Sequence, residues 1–375
     1  MANTLEAVAP KLLAQGLMAL RGTNVMPTLV NRDYDRDLAA KGLTVDIPIP
    51  SAVPTQDVAP GATPPNTGDV APTVAKVTLD KWKEAPFYLT DKDVKQSMNG
   101  IIPLQASEAV KSLVNDVNAD ILGKYTSVYG MVGTPGVTPF GSNTKEATDA
   151  RTKLNIQLAP GQDRRFVMDP SAEGNALNLR AFNDTNFAVT AQQVRDGKMA
   201  RKLGFDWAMD QQVPVHAAGL SAAAVNGAGQ TGNQLAFDGG VDAADGGTGV
   251  KAGDIFTIAG DAQTYAVVAT TGAKAGTITV TPAIKKAPAD DAVITFKATH
   301  TVNLAFHRDA FAFASRPLAD QTNGLGNIIR TATDPVTGLA LRLEISREHK
   351  RTRFSYDLLW GSSLVRPELA VRVAG

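Results

Sequence analysis

LRLEISREHKRTRFSYDLLWGSSLVRPELAVRV, residues 341–373, decides the fold. Leu341, Leu343 and Ile345 alternate with Arg342, Glu344 and Ser346, and after a charged turn Thr352, Phe354, Tyr356 and Leu358 alternate with Arg351, Arg353, Ser355 and Asp357. A repeat of two is that of a strand with one buried face, so the stretch predicts a hairpin. Two strands alone are marginal in water. The apolar face therefore needs a cover made earlier in the chain.

The candidate cover opens at Pro103, after which Ala106, Val110, Leu113, Val114, Val117, Ile121, Tyr125 and Val128 keep helical spacing to about Gly130. Such a helix, about 40 Å long at 1.5 Å per residue, suits a backbone against which a sheet packs. Upstream, Leu5, Val8, Leu12, Leu13, Leu17 and Leu20 form the stripe of an amphipathic helix over residues 4–20, ended by Gly22 and Pro27. NRDYDRD, residues 31–37, reads as a solvated or interchain-paired loop before it reads as a catalytic acid cluster.

Leu43, Val45, Ile47 and Ile49 alternate with polar residues and prolines, an edge strand. Residues 51–72 hold Pro54, Pro60, Pro64, Pro65 and Pro72, a composition unfit for helix or central strand. A second extended run follows at Thr73 to Leu79. The expected shape is a long two-stranded arm, with no partner in its own subunit evident for its apolar residues or for those of the N-terminal segment.

After KWKEAPFYL, Thr90 and Asp93 fit a capping box. Further on, residues 133–142 read as a loop, 145–157 as a helix, Arg164 to Met168 as a strand, Ala172 to Phe182 as a helix, and Val213 to His216 as a short strand. From about residue 218 the composition shifts to Gly, Ala, Thr and Asp, with β-rich runs at 254–258, 264–268, 277–281 and 292–296. Turn residues part them at short intervals, the rhythm of a small all-β unit inserted at 218–300. Residues 319–336 read as an exposed loop.

The chain of 375 residues exceeds one ordinary core and predicts roughly two or three domains. Lys plus Arg and Asp plus Glu both number 37, so no global field points to nucleic acid, a membrane or an acidic substrate. There is no cysteine, hence no disulfide, thiolate nucleophile or Cys-based metal site. The N-terminal residues lack the pattern of a signal peptide, and no apolar run is long enough for a transmembrane helix.

Chemical motifs are tested and set aside. Gly227, Gly229 and Gly232 satisfy G-x-G-x-x-G without the strand and helix that a dinucleotide site needs. His307, Arg308 and Asp309 spell the HRD of a kinase loop, but Ala314 stands where the metal-binding Asn belongs. Asp238, Asp242 and Asp245 miss the spacing of a calcium loop, and His216, His300, His307 and His349 form no close pair in sequence. No catalytic, cofactor-binding or metal-ligating residue is singled out, and no cofactor is expected. One basic cluster stands out, Arg347, His349, Lys350, Arg351 and Arg353. It reads either as a solvated hairpin turn or, less readily, as a patch facing phosphates or an acidic partner.

Five stretches in this order carry a resemblance that covers almost the whole chain: VTLDKWKEAPFYLTDKDV (77–94), DRRFVMDP (163–170), RKLGFDWAMDQQVPVH (201–216), VNLAFHRDAFAFASRPL (302–318) and RTRFSYDLLWGSSLVRPELAV (351–371). The chain resembles the major capsid (coat) proteins of tailed bacteriophages, specifically the podovirus coat family with an inserted β domain. The resemblance implies an α+β fold with an N-terminal arm (1–40), an extended hairpin loop (41–84), a peripheral domain with a long spine helix (85–144 and 341–375), an axial domain (145–217 and 301–340) and a β-rich insertion domain (218–300). It implies a non-enzymatic protein that self-assembles as pentamers and hexamers of an icosahedral head. The implied partners are other copies of itself, a scaffolding protein and a portal during assembly, and packaged double-stranded DNA held by non-specific contact, with no membrane. It would be assembled in the host bacterial cytoplasm and reside in the virion capsid. Two other readings are a bacterial nanocompartment shell, told apart by protein cargo, and a β-rich adhesin or carbohydrate-binding protein built on the insertion.

Overall fold

The structure, a computed structural model, describes residues 10, 12–14, 16–18, 25–33, 43–49, 55, 60, 72–91, 101–183, 199, 201–318, 327–334 and 337–375. Strands β1 (Thr44–Ile49) and β2 (Thr73–Thr78) pair antiparallel, as their alternation predicts. Strand β3 (Lys81–Thr90) follows, then helix α1 (Ile101–Gly123). A short strand β4 (Gly130–Gly133), helix α2 (Lys145–Ile156), strand β5 (Arg164–Met168) and helix α3 (Pro170–Asn178) come next. Asp169 caps α3 by accepting from the backbone N–H of Ser171 and Ala172, which is why β5 stops where it does. Strands β6 (Asp206–Met209) and β7 (Val215–His216) lead into β8 (Leu220–Val225), β9 (Gly232–Asp242), β10 (Ile255–Ile258), β11 (Tyr265–Thr270), β12 (Gly276–Ile284) and β13 (Val293–Phe296). The chain ends through β14 (His300–His307), β15 (Phe311–Ser315), β16 (Ile328–Thr333), β17 (Ala340–Glu348), β18 (Arg351–Leu364) and β19 (Ala370–Ala374).

The C-terminal hairpin is β17 and β18, joined at Lys350 in a left-handed conformation. Leu341, Leu343, Ile345, Phe354, Tyr356 and Leu358 are all buried in one core with Val110, Leu113, Val114, Val117 and Ile121 of α1. The expected cover is therefore the observed one. Trp360 closes the contact, its indole N–H donating to Asp120 at 3.2 Å while the Ser362 hydroxyl donates to the same carboxylate at 2.6 Å. Burial pushes the Asp120 carboxyl up, but the hydrogen bonds from Lys81 and Ser362 and the charges of Lys124 and Lys81 outweigh it, and the net direction is down. The helix is shorter than predicted. After Gly123 the chain tightens into a 3-10 turn, and from Gly130 it runs as β4, parallel to β19.

Beside β17 lies β16, so residues 328–333 of the expected loop form a strand, paired edge to edge with an apolar neighbour. On the other flank of β18, β3 pairs with residues 351–360 and β15 with residues 360–364. KWKEAPFYL carries no strand signature because Pro86 interrupts it, yet β3 is an edge strand, where a missing N–H is tolerated. The second sheet runs β4-β19-β14-β5-β6, with β7 paired to β14; its β6 had no element predicted. Both sheets share the core of α1.

Two expectations of unpartnered surface are overturned. Residues 12–14 and 16–18 are helical, with Leu12 and Leu13 buried in the core of the same subunit. The Tyr356 hydroxyl donates to the Leu12 carbonyl at 3.1 Å, and a Cβ on Gly16 would lie 3.2 Å from Leu341 and Val110, so this segment packs directly on the hairpin. The β1–β2 ladder also finds a partner in its own subunit, since Val45, Ile47, Val77 and Leu79 pack on Ala312, Ala314, Leu359 and Val365. It crosses β18 at Gly361, where any Cβ would collide with the Thr78 carbonyl. Pro27 sits in the first turn of the one-turn helix Met26–Leu29. Thr90 ends β3, while Asp93 of the expected cap, most of the N-terminal stripe and most of 51–72 lie outside the described residues.

Strands β8 to β13 close into a barrel in the order β10-β11-β12-β9-β8-β13. Its core, including Leu235, Phe237, Phe256, Tyr265, Ile278 and Ile294, is separate from that of the body. Six strands form where four were read, because LSAAAV (β8) and the glycine-bearing β9 lack bulky alternation. Trp360→Ala removes the largest fully buried side chain of the hairpin and is expected to cost about 3–5 kcal/mol, read as a lowered urea midpoint.

Candidate interaction surfaces and the barrel junction

Over residues 351–357 the face of β18 away from α1 is polar and laced by ion pairs. Along β3, Lys81 and Lys83 turn toward Asp120 and Asp116 of α1, which leaves Trp82, Glu84, Pro86 and Tyr88 on the opposite face. Trp82 is 63% exposed and Tyr88 46%. The Trp82 indole N–H donates to Asp357 at 2.9 Å, and the Arg342 Nε donates to the other oxygen of that carboxylate at 2.9 Å. Asp357 is buried, so this pair differs in kind from its exposed neighbours.

The basic turn is neutralised within the subunit. Arg347 pairs with Asp91 at 2.5 Å, Arg351 with Glu348 at 2.5 Å and Arg353 with Glu84 at 2.7 Å. Arg351 also stacks over Tyr88 at 4.5 Å. The Arg347 hydrogen bond and charge hold the Asp91 carboxyl below its usual range and lift the guanidinium. Asp91 and Glu84 lie far away in sequence, which is why the local excess of positive charge overstates the charge of the folded turn. The solvated-turn reading is the better one.

The set-aside motifs are used structurally. Asn31 is buried, bridges to Ala312 and donates to Asp309 at 2.6 Å, while Arg308 pairs with Asp33 at 2.8 Å. The HRD residues thus anchor the start of NRDYDRD, and Tyr34 to Asp37 lie outside the described residues. Gly227 and Gly229 lie in the turn from β8 to β9, and Gly232 opens β9. Asp242 pairs with Lys274 at 2.6 Å. A cleft of about 430 Å³ lies between α1 and residues 209–212, where Asn118 donates to Asp210 at 2.5 Å and accepts from the Met26 N–H at 3.0 Å. Among the described residues no three His, Cys, Asp or Glu side chains gather as a metal site, and no helix is long and apolar enough to cross a membrane.

One polar cluster has no counterpart in the sequence reading. The pairing of β7 with β14 sets His216 opposite His300, with ring centroids 5.5 Å apart, at the two crossings between body and barrel. His216 Nε2 lies 2.9 Å from Asp254 Oδ1, and its Nδ1 lies 3.0 Å from the Tyr125 hydroxyl. Since a carboxylate only accepts, Nε2 carries the hydrogen and Nδ1 takes the one from tyrosine. Asp254 also accepts from the N–H groups of Gly219 and Lys251. Arg372, fully buried in β19, donates to the Gly253 carbonyl at 2.7 Å and the Thr126 carbonyl at 3.1 Å, with its guanidinium 4.9 Å from the Tyr125 ring. Burial presses the guanidinium down to about 9, so it stays charged at neutral pH. Gly253, at φ +95°, has no room for a Cβ beside His216.

No protein-family model and no curated protein matches the chain. Solved structures do. A chain of Mycobacterium phage Che8 is 14% identical at TM-score 0.53, covering 94% of this chain and 91% of its own. The capsid structure of the cyanophage P-SCSP1u is 12% identical at TM-score 0.49, covering 89% and 84%. A virus-like particle from Pyrococcus furiosus is 9% identical at TM-score 0.45, covering 97% and 98%. At such identities the likeness is one of fold, and the Che8 chain carries it.

The two ion-pair classes predict different costs. Arg342→Ala leaves the buried Asp357 carboxylate without its cation, with only the Trp82 indole N–H as a remaining donor among the described residues, and is expected to lose about 3 kcal/mol. Arg353→Ala breaks a partly exposed pair and is expected to lose under about 1 kcal/mol. Urea unfolding of both variants checks the contrast.

Proposed function

We propose that this chain, which has the fold of a tailed-phage major capsid protein, is the shell subunit of an icosahedral phage head that encloses double-stranded DNA. The observation that carries the reading is the extent of the shared fold, 94% of this chain and 91% of the Che8 chain. The order of the five quoted sequence stretches supports it. The part played is structural: the subunit joins other copies as pentamers and hexamers, with a scaffolding protein and a portal taking part in assembly inside the host cell.

The division into arm, hairpin loop, peripheral, axial and insertion domains is part of the same proposal. Its supports are the separate core of the barrel and the docking of α1 on the C-terminal hairpin. Docking of the N-terminal helix and of the β1–β2 ladder within the subunit removes one argument for assembly, because neither leaves its apolar face uncovered. What could reach a neighbour is the proline-rich stretch 51–72, which separates the two strands in sequence.

Negative-stain imaging of the purified protein, with and without coexpressed scaffold, is expected to show closed or polymeric shells that contain nucleic acid when formed in infected cells. Strictly monomeric material under every condition would sink the reading, and protein cargo would point to a nanocompartment. Replacing residues 51–72 with a short glycine-containing turn is expected to lower particle yield while the subunit's thermal unfolding midpoint stays unchanged, because β1 and β2 keep their ladder and their docking face.

A further inference from the structure

The barrel carries its own core, and what holds it on the body is different in kind. The apolar part of the junction is small, Met131 and Ala374 of the body against Ile255 and Ala266 of the barrel. The remainder is a polar cluster of the buried His216, Asp254, His300 and Arg372 with the half-buried Tyr125. Two body side chains, Arg372 and Tyr125, and two crossing-strand side chains, His216 and His300, thus meet Asp254 and Gly253 at the foot of β10.

His300 is the member of this cluster with nowhere to place a second proton. Its Nδ1 lies 2.8 Å from the Ala298 carbonyl, which only accepts, so Nδ1 carries the hydrogen. Its Nε2 is buried and has no hydrogen-bond partner among the described residues. Around the ring stand Arg372 from β19, His216 from β7, Asp254 from the turn before β10 and Tyr125 from the 3-10 turn after α1. Asp254 is the one carboxylate among these groups, and its oxygens already accept from His216, Gly219 and Lys251. A proton on Nε2 would add a cation beside Arg372 without an acceptor.

We propose that the barrel is a releasable module, docked on the body at neutral pH and let go on acidification, with His300 as the proton-sensitive element of the junction. Burial, ahead of the charge of Arg372, lowers the His300 imidazole to about 4 from an ordinary 6.5. The released state, with His300 in water, therefore binds one more proton than the docked state between those two values. Docking is at full strength above pH 6.5 and weakens about tenfold per unit down to pH 4, below which the effect levels off. The barrel strands contain no histidine, so no imidazole of their own titrates in this window. Of the other three histidines, His216 lies in the junction itself, His307 in the body, also lowered by burial, and His349 in the β17–β18 turn, and substitution of His300 alone separates its effect from theirs.

Hydrogen exchange of the full chain, read by mass spectrometry as protection factors from pH 7.5 to 4.5, tests the proposal whether or not the chain forms shells. Junction peptides over 213–219, 251–256 and 298–304 are expected to lose protection about 100-fold between pH 6.5 and 4.5, while barrel peptides over 276–284 keep theirs. His300→Asn keeps a donor for the Ala298 carbonyl and cannot take up a proton, so its junction is expected to show no such loss; His307→Asn is expected to behave as wild type there. The same loss in His300→Asn, or joint loss of barrel protection, would overturn the proposal. Should His300→Asn fail to fold, an imidazole NMR titration of the wild type decides: a His300 midpoint near 6.5 rejects it, and one below about 5 upholds it.

Discussion

Strand β18 is where the molecule is tied together, because β17 flanks it on one side and β3 and β15 on the other, while α1 and the N-terminal helix cover one face and the β1–β2 ladder part of the other. One face gives Phe354, Tyr356, Leu358 and Trp360 to α1 and to the N-terminal helix, and the other gives Leu359 and Gly361 to the β1–β2 ladder. Such a strand cannot be half-formed. Its apolar face needs α1, and its crossing point needs a residue without a side chain. Asp120 ties the helix to two strands at once, through Lys81 of β3 and through Trp360 and Ser362 of β18. A half-buried carboxylate with three donors adds direction to a contact that apolar packing alone would leave free to slide.

The alternation in 341–358 was enough to place the hairpin, and the stripe at 106–121 was enough to name its cover, because both elements bury one face against one partner. Elements that bury through context were hidden. β16 and β6 are short and mixed in character, and β3 holds a proline that is harmless only on an edge. The same limit explains the misread surfaces. Periodicity in Val45, Ile47 and Val77 reports that a face is apolar; it does not report whether the covering atoms belong to the same subunit, and here they do.

Charge shows a parallel effect. Residues 341–375 carry an excess of positive charge when taken alone, yet Arg347 and Arg353 meet Asp91 and Glu84, both brought in by the strand that sequence left unassigned. The favoured reading of a solvated turn stands, and β3 supplies the reason that the sequence did not show. The exposed partners contribute little to stability, so their effect is mainly to cancel a field that would otherwise attract phosphates to this face.

The polar junction shows the opposite economy. His216 and His300 are distant in the chain, and only the β7–β14 register makes them neighbours. Nothing in spacing could reveal it, since the insertion of the whole barrel lies between them. A dry apolar seam would have fastened the barrel more simply, for replacing buried charge with packed hydrophobes is often neutral or stabilising. Instead a fully buried arginine spends its donors on two backbone carbonyls, one of the barrel and one of the body. That choice makes docking depend on direction and on charge state. Because the barrel's own core shares no buried residue with the body's, the junction can yield without either core being opened.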